Sequence, residues 1–369
     1  MRRPLVVALL GILFLGAISL GAQLEFLGSF EIPTEEWRFG TMPVGGISGL
    51  AYDPGTGVYY GICDDRGGTG TPGRLYIIKI DVDGTGIHSV AVLGVEFLDS
   101  DAATPGVQIY PTKGIDAEEV VLTPDDKFII SSERDQHNIP WLRIFAKDGI
   151  LLGEIPLPEK FVPGEGKGIR KNLGFEGLAL SPDGKTLYAV NEQALVQDGP
   201  LCSQEAGTQV RIVVFDLSGK EAREVAEYVY VTEPIFAYPK DHYADNGVSA
   251  ITYIKDILPE YDLLVMERSY VSGVGNDIKI FGVTLAGADD VKDVEALPYP
   301  FTGKAVKKEL LLRISALKDL SDIPVPPDNM EALAIGPALP NGHHVLIVAA
   351  DNNFNPHERN LFLAFEIVP

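Results

Sequence analysis

Beyond residue 22 the apolar positions fall into short runs of about six residues, and the runs come in pairs separated by turn residues. The clearest pair lies between Gly174 and Glu192. Phe175 to Leu180 is an apolar run carrying Glu176, Ser181-Pro182-Asp183-Gly184 supplies the dihedrals of a tight turn, and Thr186 to Val190 leads into Asn191 and Glu192. This predicts an antiparallel hairpin with Glu176 and Glu192 at one end. Four further copies can be laid over it on the turn. They run from Ser48 through Pro54 to Asp64-Asp65-Arg66, from Glu118 through Pro124 to Glu133-Arg134, from Ser249 through Tyr253 to Glu267-Arg268, and from Glu331 through Pro337 to Asp351-Asn352.

All-strand units spaced about 60 to 80 residues apart predict radial repetition, an all-β propeller. Each unit contains a third strand, at Arg74 to Ile80, Trp141 to Ala146, Arg211 to Asp216, Asp277 to Val283 and Leu361 to Ile367. Four contain a fourth, at Ser89 to Phe97, Ile150 to Leu157, Glu224 to Val231 and Lys308 to Ile314; the fifth reaches Pro369 without one. The isolated strand from Leu24 to Pro33 fits that vacancy, so five four-stranded blades are expected, the last completed by the N-terminal strand. A sixth blade hidden in residues 285–322, where the hairpin pattern is missing, is the alternative. The long connections, 67–73, 193–209, 271–276, 160–173 and 234–246, should gather at one end of the channel, where function on such a scaffold usually sits.

Met1-Arg2-Arg3-Pro4, the apolar stretch from Leu5 to Leu20 and the small pair Ser19 and Gly21 read as a secretory signal over residues 1–22. Residues 23–369 would then form a single secreted or periplasmic domain, with no stable membrane insertion after cleavage. The formal net charge is −22, with 52 acidic against 30 basic side chains, and loss of Arg2 and Arg3 makes it more negative. Such a chain repels nucleic acid and anionic lipid as a global property. Two cysteines, Cys63 and Cys202, allow at most one bridge, so an apolar core must hold the fold; whether they pair stays open.

The overlay places Ser48, Glu118, Glu176, Ser249 and Glu331 at one equivalent position near the channel mouth. Three carboxylates round a narrow axis repel one another unless a cation sits between them. The acids closing the second strands, Asp64, Glu133, Glu192, Glu267 and Asp351, add hard oxygen donors together with Asn329, Asn352 and Asn353, a set suited to Ca²⁺. A second reading stands beside this one, in which the acids cap strands, pair with arginines or face solvent. Arg66, Arg134 and Arg268 each follow a strand-end acid and Arg170 precedes the third hairpin. These guanidiniums either hold a phosphate or carboxylate or bridge neighbouring blades. Gly68 to Gly73 matches G-x-G-x-x-G, but no helix follows it, and Gly46-Ile-Ser48-Gly49 is not a nucleophile elbow.

The runs Gly45 to Pro54 with Asp64-Asp65-Arg66, Arg170 to Ala179 with Asn191-Glu192, Met266 to Tyr270, and Asp328 to Ala334 with Asp351 to Phe354 resemble the phytase-like, or "esterase-like activity of phytase", family of exported bacterial β-propeller proteins. The resemblance implies calcium held by channel carboxylates, with Glu118, Glu176 and Glu331 as catalytic and metal-binding positions and the strand-end acids as further ligands. It also implies that Arg66, Arg134, Arg170 and Arg268 contact substrate. Ser48 and Ser249 depart from that pattern. The expected activity is calcium-dependent hydrolysis of a small phosphoric ester by a monomer. The alternatives are a non-catalytic ligand- or protein-binding propeller with structural calcium, and a metal-dependent lactonase or carboxylic esterase.

Overall fold

A computed structural model describes residues 22–104, 108–319 and 321–369. The expected signal peptide lies outside the described residues apart from Ala22. Among the described residues no helix is long and apolar enough to cross a membrane. The chain opens with β1 (Gln23–Pro33) and a two-residue ribbon, β2 (Arg38–Phe39) with β3 (Met42–Pro43). Blade 1 is β4 (Ile47–Asp53), β5 (Val58–Cys63), β6 (Arg74–Asp83) and β7 (Gly86–Phe97); blade 2 is β8 (Ala117–Leu122), β9 (Lys127–Ser132), β10 (Trp141–Ala146) and β11 (Leu151–Ile155). Blade 3 is β12 (Phe175–Leu180), β13 (Thr186–Asn191), β14 (Gln209–Asp216) and β15 (Arg223–Val231). Blade 4 is β16 (Ala244–Tyr253), β17 (Leu263–Val271), β18 (Gly275–Thr284) and β19 (Lys307–Arg313). Blade 5 is β20 (Met330–Ala338), β21 (His344–Ala350), β22 (Arg359–Val368) and, returning from the other end of the chain, β1.

The fold is therefore a five-bladed β-propeller. β1 pairs antiparallel with β22 from Gln23 opposite Val368 to Pro33 opposite Arg359, which closes the ring as the vacancy predicted. Thr34 and Glu31 fasten the end of that pairing, through Thr34 Oγ1 to the Glu358 carbonyl at 2.7 Å and Glu31 to Arg359 at 3.0 Å. The five innermost strands touch in cyclic order, β4 to β8, β12, β16, β20 and back to β4. Apolar side chains on facing sheets fuse into five cores, one between each pair of adjacent blades, with Tyr59, Phe128, Phe175, Tyr230 and Phe365 wholly buried among them. Cys63 is buried and Cys202 half-buried, and both thiols are free.

The stretch 285–322 is not a blade. Its first part folds back over blade 3, where Val291 and Leu297 pack on Val229 of β15. A buried ionic cluster holds it there. Arg211 of β14, wholly inaccessible, bonds Asp198 at 2.6 and 2.9 Å, Glu227 at 2.6 Å and the Val294 carbonyl at 2.9 Å, while the Leu297 amide donates to Asp198 at 2.8 Å. Lys160 reaches Glu227 at 3.1 Å. Sequence periodicity gives no sign of this strap because charge, not an apolar repeat, fastens it.

Two outcomes follow from these pairings. Deleting residues 23–33 from the mature chain should lower its melting temperature and expose the β22 edge to self-association, and the free 23–33 peptide should restore both the melting temperature and the monomer; no rescue would mean that closure does not depend on this strand. Arg211→Ala should cost about 3–5 kcal/mol in denaturant unfolding, because Asp198 and Glu227 would remain buried against fewer positive charges. A cost within surface-substitution range would show the cluster to be incidental.

Candidate active site

Each inner strand carries a β-bulge at the position that the sequence overlay singled out. Phe175 opposes Asn191 and Gly177 opposes Val190, so Glu176 is the extra residue between two regular pairs. Ser48, Ser249 and Glu331 occupy the same place in β4, β16 and β20. In β8 the irregular step spans Glu118 and Glu119. A bulge frees one residue from the ladder and re-aims its side chain, and here that brings Glu118, Glu176 and Glu331 to the wall of one cavity. The two serines stay buried at the same level, each with a hydroxyl that has no hydrogen-bond partner.

The cavity, about 880 Å³, opens at the loop-lined end of the channel. Ten carboxylates line it, those of Asp64, Asp65, Asp116, Glu118, Glu133, Glu176, Glu192, Asp245, Glu331 and Asp351, against four cationic side chains, Arg66, Arg134, Lys171 and Arg268. Two groups of acids are the tightest. Asp116, Glu118 and Glu133 can bring one oxygen each within 4.8 Å of one another, and so can Glu133, Glu176 and Glu192, which makes Glu133 common to both. Its Oε1 also accepts the Gly174 amide at 2.6 Å, fixing the carboxylate between blades 2 and 3.

Crowding and burial raise the carboxyl pKa values. Burial, then the charges of Glu331 and Asp116, push Asp64 up to about 8. Asp116 rises to about 7 through burial and Glu133, against the pull of Arg134 and Arg66. Glu118, Glu176, Glu192 and Asp351 are driven well above the usual carboxylate range by burial and by their acidic neighbours. The arginines are bracketed by the same acids. Arg134 and Arg66 reach Asp116 at 2.6 and 3.3 Å, and Arg268 reaches Glu331 at 3.3 Å and Glu192 at 3.7 Å while donating to Asn329 at 2.8 Å.

Three of the expected site residues stand elsewhere. Glu267 does not close a strand: β16 and β17 continue their pairing past it, with Gly247 opposite Arg268 and Ala244 opposite Val271. Its carboxylate turns between blades, where Tyr230, Lys308, the Glu233 amide and Asn246 satisfy it. In β5, β9, β13 and β21 the strand ends one residue before the acid, which leaves Asp64, Glu133, Glu192 and Asp351 free to face the channel. Asn352 is wholly buried and accepts the Gly46 and Phe354 amides, and Arg170 spends its guanidinium on the Ala194 and Gly199 carbonyls. Asp116 and Asp245 line the cavity and were not singled out in sequence. Asp116 sits two residues before Glu118, a period-2 offset that marks it as facing the same way.

The residues present suit a hard divalent cation. Both tight groups are all-carboxylate, and Asp64 Oδ1 is buried with no hydrogen-bond partner. Glu331 belongs to neither group, since Arg268 and Asn329 hold it.

A secreted protein of Arthroderma benhamiae, itself uncharacterized, is 30% identical over 187 residues, which cover 43% of this chain and 35% of that protein. This chain thus matches about a third of the length of that curated relative, and the likeness is not confined to bacteria. Among solved structures, the periplasmic gluconolactonase PpgL of Pseudomonas aeruginosa aligns with a TM-score of 0.38 at 14% identity, over 94% of this chain and 99% of the other. U3-55K aligns with a TM-score of 0.38 at 10% identity, over 93% and 98%. The family model described as "Phytase-like: Esterase-like activity of phytase" matches residues 42–354, and the chain belongs to that family.

Proposed function

We propose that the chain is a secreted, calcium-dependent hydrolase of phosphoric esters, acting as a monomer at the acidic mouth of its channel. One observation carries this reading: ten carboxylates face one cavity against four cations, and two groups of three acids, both including Glu133, bring oxygens within 4.8 Å of one another. Structural acids on a surface would spread apart or pair. A surplus held together by bulged strands suits a cation, and an all-oxygen set suits calcium. Asp116, Glu118, Glu133, Glu176 and Glu192 would hold it, with Asp64 and Asp351 beside them. When bound, calcium supplies charge that polarises a phosphoryl oxygen and acidifies a coordinated water.

The chain's own residues would do the rest. Arg66 and Arg268 keep 27% and 20% of their side chains exposed at the cavity, so each has donors left for an anionic oxygen. Arg134, at 8%, stays committed to Asp116 and orients it. Lys171, exposed on the 160–173 loop, is the one lining cation with no ion pair among the described residues. The family description and the relative's description as secreted support the class and the export. One feature favours a carboxylic ester or lactone instead: three of the four lining cations are already paired with acids, which weakens the pull on a dianionic phosphate.

Purified mature protein assayed on phosphomonoesters, carboxylic esters and lactones should turn over phosphomonoesters, lose that activity in EDTA and regain it with calcium. Turnover confined to lactones or carboxylic esters would move the assignment to the second reading, and none at all would leave a binding propeller. Glu133→Gln keeps the Gly174 contact and removes the charge common to both acid groups. It should weaken calcium binding at least tenfold, a loss of about 1.4 kcal/mol of calcium-linked stability at saturation, against smaller losses for Glu118→Gln and Glu176→Gln. Equal calcium stabilisation in wild type and Glu133→Gln would place the ion elsewhere.

The metal-free protein has a predictable pH dependence. Asp64, Asp116, Glu118, Glu176, Glu192 and Asp351 have folded pKa values above the unfolded value of about 4, so at these groups the native state binds more protons, and their contribution to stability falls as pH rises. The window runs from about 4 to the folded values of about 7 for Asp116 and about 8 for Asp64. Chelated protein should therefore melt lower at pH 8.5 than at pH 5, with calcium reducing the difference; a flat or rising profile in EDTA would contradict the charge surplus.

A further inference from the structure

The wall of the cavity is chemically uneven. Its floor is acidic, but one flank of the mouth is built from two exposed apolar side chains on different loops, Leu201 on the 193–209 connection at 42% exposure and Tyr243 on the 234–246 connection at 58%. The Tyr243 ring lies against the Tyr270 ring with centroids 5.9 Å apart, so it is backed by a second aromatic rather than free in solvent. Tyr243 stands two residues before Asp245 of the acidic floor, so the chain itself joins the aromatic flank to that floor. Scattered surface leucines need no explanation, whereas two apolar groups brought by separate loops to one cavity form a surface for something to cover.

Charge limits what that something is. A substrate bearing several phosphates would need many free cations, and Arg66, Arg134 and Arg268 are each already paired with a carboxylate, which leaves spare donors on Arg66 and Arg268 and, among the described residues, Lys171 as the lining cation with no ion pair. On the hydrolase reading the bound ion and the spare donors of Arg66 and Arg268 would hold one anionic group above the acidic floor, and the remaining half of the molecule meets Leu201 and Tyr243. Resting on the hydrolase reading, we infer that the substrate is a monoester whose alcohol half is apolar or aromatic, seated against Leu201 and Tyr243, and not a polyphosphorylated polyol. On this geometry Leu201 and Tyr243 set specificity and touch no bond that breaks.

Binding separates this inference from the activity it rests on. Calorimetric titration of the calcium-loaded mature protein with phenylphosphonate and with methylphosphonate, which share the anionic head and cannot be hydrolysed as esters, should show phenylphosphonate bound about tenfold more tightly. Leu201→Ser touches no polar partner and should cut that preference about threefold, and adding Tyr243→Ser should remove it. The calcium-dependent rise in melting temperature, measured in the same variants, reports whether the acidic floor is intact. Equal affinity of the two phosphonates for the wild type, no binding of either, or a preference unmoved in both variants with the calcium response retained would overturn the inference. A phenyl preference that falls in the variants, in a protein that turns over no ester, would uphold the subsite while removing the hydrolase reading.

Discussion

Everything in this propeller is set by how closely five inner strands must approach around one axis. The residue after each bulge shows the constraint: Gly49, Gly177, Ala250 and Ala332 hold that position in four strands. A Cβ on Gly49 would stand 2.8 Å from the Glu118 carbonyl oxygen of β8, and one on Gly177 would stand 3.0 Å from the Ile251 amide of β16. Larger side chains would push the strands apart and open the blade-to-blade cores. The fifth strand breaks the rule with Glu119, buried against the Gly49 backbone and bonded to the Val120 amide, so a glycine in one blade makes room for the side chain of the next.

The same crowding explains why the acids are where they are. A regular inner strand would alternate its side chains between the two neighbouring blades, and a glutamate pointing into a blade interface would be buried in hydrocarbon. The bulge rotates that one residue out of the interface and toward the axis. Five bulges at one level build a ring whose charge is not diluted by solvent, and the loops then add strand-end acids from Asp64, Glu133, Glu192 and Asp351. Acids crowded in a cleft with displaced pKa values are a mark of function more often than of stability.

Much of this was legible before any coordinates. The hairpin repeats from Ser48, Glu118, Glu176, Ser249 and Glu331 gave the blades, the closing strand and the ring of equivalent positions, because a two-residue alternation punctuated by Pro and Gly has few other solutions. What escaped is instructive. Glu267 lies opposite Val248, the residue before the bulge, where Asn191 and Ser132 stand opposite Phe175 and Ala117, so the place of Glu192 and Glu133 falls to Arg268, and strand alternation turns Glu267 between blades. The connection from Tyr253 to Leu263 is longer than the one from Leu180 to Thr186, and that difference hides the one-residue shift from a comparison of spacings. Arg211, Asp198 and Glu227 escaped for a different reason: they lie in one blade, on β14, the β13–β14 connection and β15, and the alternation of apolar and polar positions does not distinguish charges that pair inside a blade from charges that face solvent.

The polarity of the channel follows from counting two residues down each inner strand. Beyond the ring of Ser48, Glu118, Glu176, Ser249 and Glu331 come Leu50, Val120, Leu178, Ile251 and Leu333, all nearly inaccessible, and these face a second cavity of about 660 Å³ at the opposite mouth. The bulged position therefore gives an acidic end and the second residue beyond it an apolar end of a single axis, with the small-residue layer between them. An ion entering from the loop-lined side meets carboxylates and then a hydrocarbon barrier that it cannot cross without losing its ligands.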